Sequence, residues 1–299
     1  REMIFHKTLC ATIIRNTLGV TTMTRKVHFF NRLIRADFYK YFSVITAVLS
    51  VVVIFFDIPK ETKIISGIIF LGFCVILYLA IWFLANKRKQ IKLNIGGTSI
   101  QIKADNLFNQ EGLKVIPFND FYDTQVDDVV ISHRSLNGQY IDEYCSYNIH
   151  ELDEIISKNK KLKENIKEIN VCRDGKATRY SIGSMIVVDD FVLTAFSIFD
   201  ENNCARLTIN DYLSFLMRFW NEINSVYAQK KVVVPIFGSG ITRFTNGMED
   251  INENELLRIM IWTFKVSKIK FEYPAELSII IHPDKIDKID IFSLKEEEE

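Results

Sequence analysis

Three short stretches carry the residue types that hold a phosphorylated ligand. Phe237-Gly238-Ser239-Gly240-Ile241 follows the apolar run that starts at Val232. Paired glycines let a backbone approach a phosphate closely and aim successive N–H groups at it. Asn119–Gly138, NDFYDTQVDDVVISHRSLNG, is a long polar stretch that closes on Ser135-Leu-Asn-Gly138. Unstructured stretches of that length inside a compact domain are usually functional or disordered. Ala104-Asp105-Asn106 puts a carboxylate at the end of a strand-like run, where it can accept a hydrogen bond from an adenine amino group. Each stretch also has a plainer role: a lone G-x-G is commonly a turn, a polar stretch a surface connection, and an Asp after a strand a cap.

The elements that must position these groups alternate between strand and helix. Strand-like runs fall at 92–95, 99–104, 112–117, 178–183, 185–188, 191–197, 231–237 and 277–281. Helical periodicity covers 150–168, 208–229 and 254–269, the second with a capping box from Thr208 and Asp211 and the stripe Leu213, Leu216, Met217, Trp220, Ile223 and Tyr227. The run Val232-Val-Val-Pro-Ile-Phe is apolar throughout, as a strand covered on both faces by helices must be. The expected fold is an α/β domain, a mixed sheet with helices on both faces. Ligands of such sheets bind beyond the strand ends, where all three stretches stand.

Ahead of this domain lie two apolar segments. Tyr41–Ile58 has one charge, Asp57, and Ile64–Leu84 has none. At ~1.5 Å per residue they reach roughly 27 and 31 Å, enough for the ~30 Å core of a bilayer. A long soluble core helix shows a polar stripe, and the second segment has none. The linker Pro59-Lys60-Glu61-Thr62-Lys63 permits only a tight hairpin. Arg25, Lys26, Arg32, Arg35 and Lys40 precede it and Lys87, Arg88 and Lys89 follow, which puts both termini in the cytoplasm of a plasma-membrane protein. Tyr39, Tyr41 and Trp82 are expected in the interfacial belt, and Ser43, Ala47 and Ser50 form a small-residue stripe. The net charge of zero hides a split, with +6 on residues 1–40 and −10 on residues 93–299, which excludes a uniformly basic nucleic-acid binder. No deep charge interrupts either span, which argues against a selective channel or transporter. Five scattered cysteines and five histidines show no disulfide or metal-site spacing. The chain opens with Arg while Met23 offers an internal start, so residues 1–22 are expected to be non-native and are assigned no function.

The order of these features resembles the macro domain. Ile116-Pro-Phe-Asn-Asp-Phe-Tyr-Asp-Thr124, Ser135-Leu-Asn-Gly-Gln139, Tyr180-Ser-Ile-Gly183 and Leu193–Asp200 look like the macro domains fused behind two transmembrane helices in Thoeris anti-phage effectors. The resemblance covers residues 40 to about 283. With the charges and apolar segments, it gives an expected division into a basic cytoplasmic arm at 1–40, spans at 41–58 and 64–84, a nucleotide-sensing macro-like domain at 90–293 and an acidic tail at 294–299. It puts the adenine contact on Asp105, one diphosphate loop on Asn119, Asp123, Thr124, Ser135 and Gly138, and the other on Gly238, Ser239, Gly240 and Ile241. The family's Gly-Asp pair is Ala104-Asp105 here, and Asn119 is followed by Asp120-Phe121 rather than by the glycines of hydrolytic macro domains. A non-enzymatic sensor is therefore expected, without metal or cofactor. The resemblance implies that its ligand is an ADP-ribose derivative, such as a histidine adduct, made from NAD by a TIR-domain partner. Binding would make the protein oligomerise and breach the bilayer. Two alternatives stand: a membrane-anchored ADP-ribosyl hydrolase using Asp123, Asp127 or Asp128, and a tethered protein-binding scaffold.

Overall fold

The computed structural model describes residues 27–56, 59, 61–246, 249–271 and 275–298. Residues 1–26 of the basic arm, Asp57 and Ile58 at the end of the first expected span, Lys60 in the linker and Glu299 of the expected tail lie outside the described residues. Helix α1 (Arg32–Phe55) and helix α2 (Lys63–Lys87) have mean hydropathies of 2.0 and 2.8 and bury none of their most apolar stretches. Both are long and apolar enough to cross a membrane. Asn31 caps α1, its side chain accepting from the Leu33 N–H. Phe38, Phe42, Phe70 and Tyr78 bring the two helices together. Ser43, Ala47 and Ser50 stay exposed, so the small-residue stripe plays no part in closing the hairpin.

The chain then enters a mixed sheet. In chain order its strands are β1 (Gln90–Ile95), β2 (Thr98–Ala104) and β3 (Leu113–Asn119). The one-turn helix α3 (Leu136–Gln139) passes into a π-turn over Tyr140–Tyr144, and α4 (Ile149–Lys158) and α5 (Lys160–Lys163) follow. Next come the paired β4 (Ile166–Glu168) and β5 (Arg179–Tyr180), then β6 (Met185–Val188), β7 (Phe191–Phe199) and β8 (Ala205–Leu207). The remainder is α6 (Ile209–Val226), β9 (Val232–Pro235), β10 (Arg243–Phe244), α7 (Glu253–Ser267) and β11 (Leu277–Ile281). Among the described residues the sheet runs β1-β2-β11-β9-β3-β7-β8-β10, with β6 also on β7. β2, β11, β9, β3 and β7 are mutually parallel, so their C-terminal ends share one edge. β1 is antiparallel on one flank, β6 and β8 on the other.

Helices cover both faces. Phe215, Phe219, Trp220, Leu257 and Phe264 of α6 and α7 pack on one face, and Leu152, Ile156 and Leu162 of α4 and α5 on the other. β9 is buried at every residue, as its unbroken apolar run requires. The capping box joins Thr208 to Asp211, and Asn148/Glu151 and Asn252/Glu255 form two more.

The structure departs from the sequence reading in several places: the strand expected over 178–183 is only Arg179–Tyr180, the short strands β8 and β10 are additional, and the helix expected over 208–229 ends at Val226. The helix expected over 150–168 ends at Lys158, because the Asn159 side chain accepts from the Leu162 N–H and starts a new turn. Its last residues are strand β4, which pairs with β5 apart from the main sheet. The stretch 119–138 is not wholly loop, since Leu136–Gln139 is helical. The expected tail is part of the fold: Phe292–Glu298 is a 3-10 helix with Phe292, Ser293 and Leu294 buried, and Glu297 pairs with Arg258 at 2.6 Å.

Candidate functional site

β3 and β9 are neighbours whose next parallel strands lie on opposite sides, β7 beside β3 and β11 beside β9, although the chain leaving β9 first adds β10 to β8. Such a switch point opens a crevice at the C-terminal edge of the sheet. Here it holds a cleft of about 680 Å³. Asp105 after β2, Asn119 after β3, Ser135, and the Gly238–Ile241 loop after β9 all line it. β2 and β9 are two strand spacings apart, so Asp105 and the glycine loop lie ~10 Å from each other across the sheet.

The lining residues divide into those open to the cleft and those that hold its walls. The Asp105 carboxylate accepts from the Asn106 N–H at 2.8 Å and pairs with Lys103 at 3.2 Å, yet stays two-fifths exposed. Its slight desolvation, which would raise the pKa, is outweighed by the Asn106, Gln110 and Lys103 contacts, so the group is held below its ordinary value. It is an ionised acceptor at neutral pH. Gly238 has a φ of +81°, and a Cβ there would stand 2.7 Å from the Phe244 ring. Gly240 has ordinary backbone, and a Cβ there would meet nothing. The first glycine makes the turn, and the second leaves the backbone bare. Ser239 Oγ donates to the Ile236 carbonyl at 2.8 Å, which tightens the loop. Ile241 is exposed.

Asn119 lines the cleft floor, but its side chain is committed to its own turn. Its Oδ1 accepts from the Phe121 and Asp123 N–H groups at 3.0 and 3.2 Å, and its Nδ2 donates to Asp123 at 2.9 Å. Ser135 caps α3, donating to the Ser132 carbonyl at 2.6 Å and accepting from the Gly138 N–H at 3.1 Å. Asp123, Thr124 and Gly138 lie off the cleft wall. Asp123 is buried against Arg173 at 2.9 Å, Thr124 donates to Asp153 at 2.7 Å, and Gly138 sits where a Cβ would meet the Ser132 carbonyl at 2.3 Å. The structure thus gathers seven of the ten expected residues and places these three behind them.

Other residues complete the cleft. His282, Pro283 and Lys285 follow β11, while Ser197 and Asn203 come from β7 and its turn. Asn203 is held by Arg173, whose guanidinium stacks 4.1 Å from the Phe121 ring. One buried arginine therefore fixes the loop after β3, through Asp123, and the turn after β7. The strand ending at Ile281 is legible in the sequence and would have pointed to His282. Arg173 carries no comparable signal, because its partner Asp123 is 50 residues away.

Residues 100–282 match the family described as Thoeris protein ThsA, Macro domain. The chain belongs to this family. The Thoeris protein ThsA of Bacillus amyloliquefaciens (strain Y2) is 42% identical over 247 residues, which cover 81% of this chain and 82% of that protein. Among solved structures, the Oceanobacillus iheyensis macrodomain with ADP is 11% identical with a TM-score of 0.42, covering 70% of this chain and 94% of that one. A point mutant of the same macrodomain with ADPR is 13% identical with a TM-score of 0.42, covering 70% and 96%. The ThsA match spans every strand of the parallel set apart from the first two residues of β2, and its last residue is His282 on the cleft wall.

Proposed function

We propose that this chain is the membrane effector of a Thoeris-type anti-phage system and that its cleft senses an ADP-ribose-derived signal. The observation that supports this most is the single cleft carrying an ionised acceptor, Asp105, at one end and the bare backbone of Gly240 at the other. A purine amino group donates to the first. A diphosphate takes the N–H groups of the Gly238–Ile241 loop, opposite the Ser135–Asn137 wall. The volume is that of a pocket for a ligand of nucleotide size. The signal, such as a histidine adduct of ADP-ribose, is made from NAD by a TIR-domain protein. Binding drives several copies together, and their hairpins, with both termini in the cytoplasm, breach the plasma membrane and kill the infected cell.

We read the site as a binder rather than a hydrolase. Of the three candidate bases, Asp123 is paired with Arg173, Asp127 accepts from the N–H groups of Val129 and Val130 at 2.9 and 2.7 Å, and Asp128, which lines the cleft, accepts from the His133 N–H at 3.1 Å. The test is calorimetric titration of the full chain in nanodiscs with ADP-ribose and its histidine adduct, followed by particle sizing. Saturable binding with a ligand-dependent rise in size is expected. A ligand at 100 times its Kd adds ~2.7 kcal/mol of stability, so thermal unfolding is a second readout. No heat and no thermal shift with either compound would refute the sensor reading, and release of free histidine from the adduct would favour the hydrolase.

A further inference from the structure

The hairpin and the cleft lie at the same end of the domain. α2 stops at Lys87 and β1 starts at Gln90. The Lys89 carbonyl accepts from the Ala104 N–H at 3.0 Å, and the next residue is Asp105 on the cleft. One strand spacing therefore separates the cleft from the exit of the hairpin. A second tie comes from the chain's last helix. Ser293 Oγ accepts from Asn31 Nδ2 at 2.9 Å, Lys295 pairs with Asp37 at 3.5 Å, and Phe292 is buried with Ile34 and Ala85. From that junction the last helix and β1 run together away from the hairpin, until Glu298 accepts from the Asn94 N–H at 2.8 Å. β2 returns antiparallel to β1, so the C-terminal ends of all five parallel strands point back towards α1 and α2.

Two exposed aliphatic residues line the cleft at that edge, one in the loop after β3 and one in the loop after β9. Val129 is 67% exposed and Ile241 61%. The Asp127 and Asp128 carboxylates turn inward onto the backbone of Val129, Val130 and His133, which leaves Val129 at the apex. Arg134, Arg243 and Lys285 line the same mouth, with Arg88 and Lys89 at its foot. Aliphatic tips backed by arginines are what an interfacial lipid layer accommodates.

We infer that the mouth of the cleft docks on the cytoplasmic leaflet, with Val129 and Ile241 in the interfacial layer and Arg134 and Arg243 against lipid phosphates. The bilayer is then a wall of the nucleotide site, and any ligand that draws the two loops together moves both tips within the lipid surface. This rests on the reading that α1 and α2 span the bilayer, and the test separates the two. In a cysteine-free full chain in nanodiscs, a fluorophore is attached in turn at Val129→Cys, Ile241→Cys, Lys270→Cys and Val52→Cys. Lys270 is exposed beside Phe271, whose N–H bonds Thr98 at the far end of the sheet, ~20 Å along the strands from the cleft. Nitroxide on the lipid headgroups is expected to quench positions 129 and 241 and leave 270 bright, while nitroxide on the acyl chains quenches 52. Tips as bright as position 270, with 52 quenched, overturn the docking alone. An unquenched 52 overturns the spanning hairpin and the docking with it.

Discussion

Gly240 allows the phosphate reading to be tested without disturbing the fold. A Cβ there meets no atom within 4 Å, and the backbone is of the kind any residue adopts. Gly240→Asp therefore adds a carboxylate to the cleft at little cost in stability. A phosphate on this loop would lie ~5 Å from the new charge, and 332/(εr) gives ~3 kcal/mol at an effective dielectric of 20 and ~1 kcal/mol near that of water. The expected loss of affinity for ADP-ribose is thus between about fivefold and 150-fold, measured by calorimetry on the full chain in nanodiscs. Gly240→Asn, of the same size without the charge, is the control and should bind far closer to the parent. The gap between the two should shrink in 1 M salt, where the screening length is ~3 Å. Ligand-driven assembly and toxicity should fail with Gly240→Asp while expression and membrane insertion persist. Equal affinities for the Asp and Asn variants would remove the phosphate from this loop, and a Gly240→Asp protein that still assembled on signal would refute the loop as trigger.

Gly238→Ala should act the other way, costing ~1–3 kcal/mol of stability through its left-handed φ and the Phe244 contact, read as a lowered Tm in the absence of ligand. Asp105→Asn retains an acceptor for the Asn106 N–H but faces the ligand with a donor, so nucleotide affinity should fall by ~1–3 kcal/mol at unchanged Tm; unchanged affinity removes Asp105 from the site. Asp120 is held up at about 6 because burial outweighs Arg179 at 3.0 Å and the Phe199 N–H at 3.0 Å. The folded state thus holds this proton more tightly than the unfolded chain. The resulting stability is fully present below about pH 4 and is lost as pH rises through about 6, up to roughly 3 kcal/mol, and Asp120→Asn should flatten that part of the denaturation profile. Arg173→Ala leaves Asp123 buried without its partner and should destabilise by ~3–5 kcal/mol in urea unfolding, with Asp123→Asn in the same chain recovering part of the loss.

Local signals in the chain were legible where neighbouring residues carry them. The run Leu277–Ile281 is β11 to the residue, and Thr208 with Asp211 marks the start of α6, because alternation, apolar runs and caps are written in adjacent positions. The break at Asn159 was missed because Lys/Glu periodicity continues past it while a single side chain restarts the helix. In the cleft, strand ends pointed to the edge where it opens and to seven residues that line it, but residue type could not tell groups open to the cleft from those that hold its walls. Asn119 lines the cleft while bonding within its own turn, and Asp123 pairs with an arginine 50 residues away. Gly238 and Gly240 look alike in sequence, and only the left-handed φ and the packing of Phe244 separate the one that must be glycine from the one that leaves backbone open. The buried hairpin base was unreadable for the same reason, since Asn31 and Ser293 meet across 262 residues.

That base gives the proposed signal a short route. His282, Pro283 and Lys285 on the cleft wall open a 3-10 helix, Pro283–Lys288, which Glu253 grips through Lys285 at 3.4 Å and Lys288 at 3.6 Å. Ile289 and Ile291 are buried just beyond it, and Asp290 holds Ser293 by its N–H at 3.0 Å and its hydroxyl at 2.5 Å. Ser293 holds Asn31, the residue that caps α1. The twelve residues from His282 to Ser293 thus join the cleft to the first turn of the hairpin. A bound nucleotide brings further negative charge to sensors that already carry −10 each, so charge alone opposes their assembly. The proposed assembly must therefore be favoured by shape, through a cleft that fits the ligand better in the assembled state. Turning a rare assembled state into the dominant one takes ~5.5 kcal/mol of differential affinity. Several sites in one assembly share that sum, so the proposed mechanism requires the response to the ligand to be that of an oligomer.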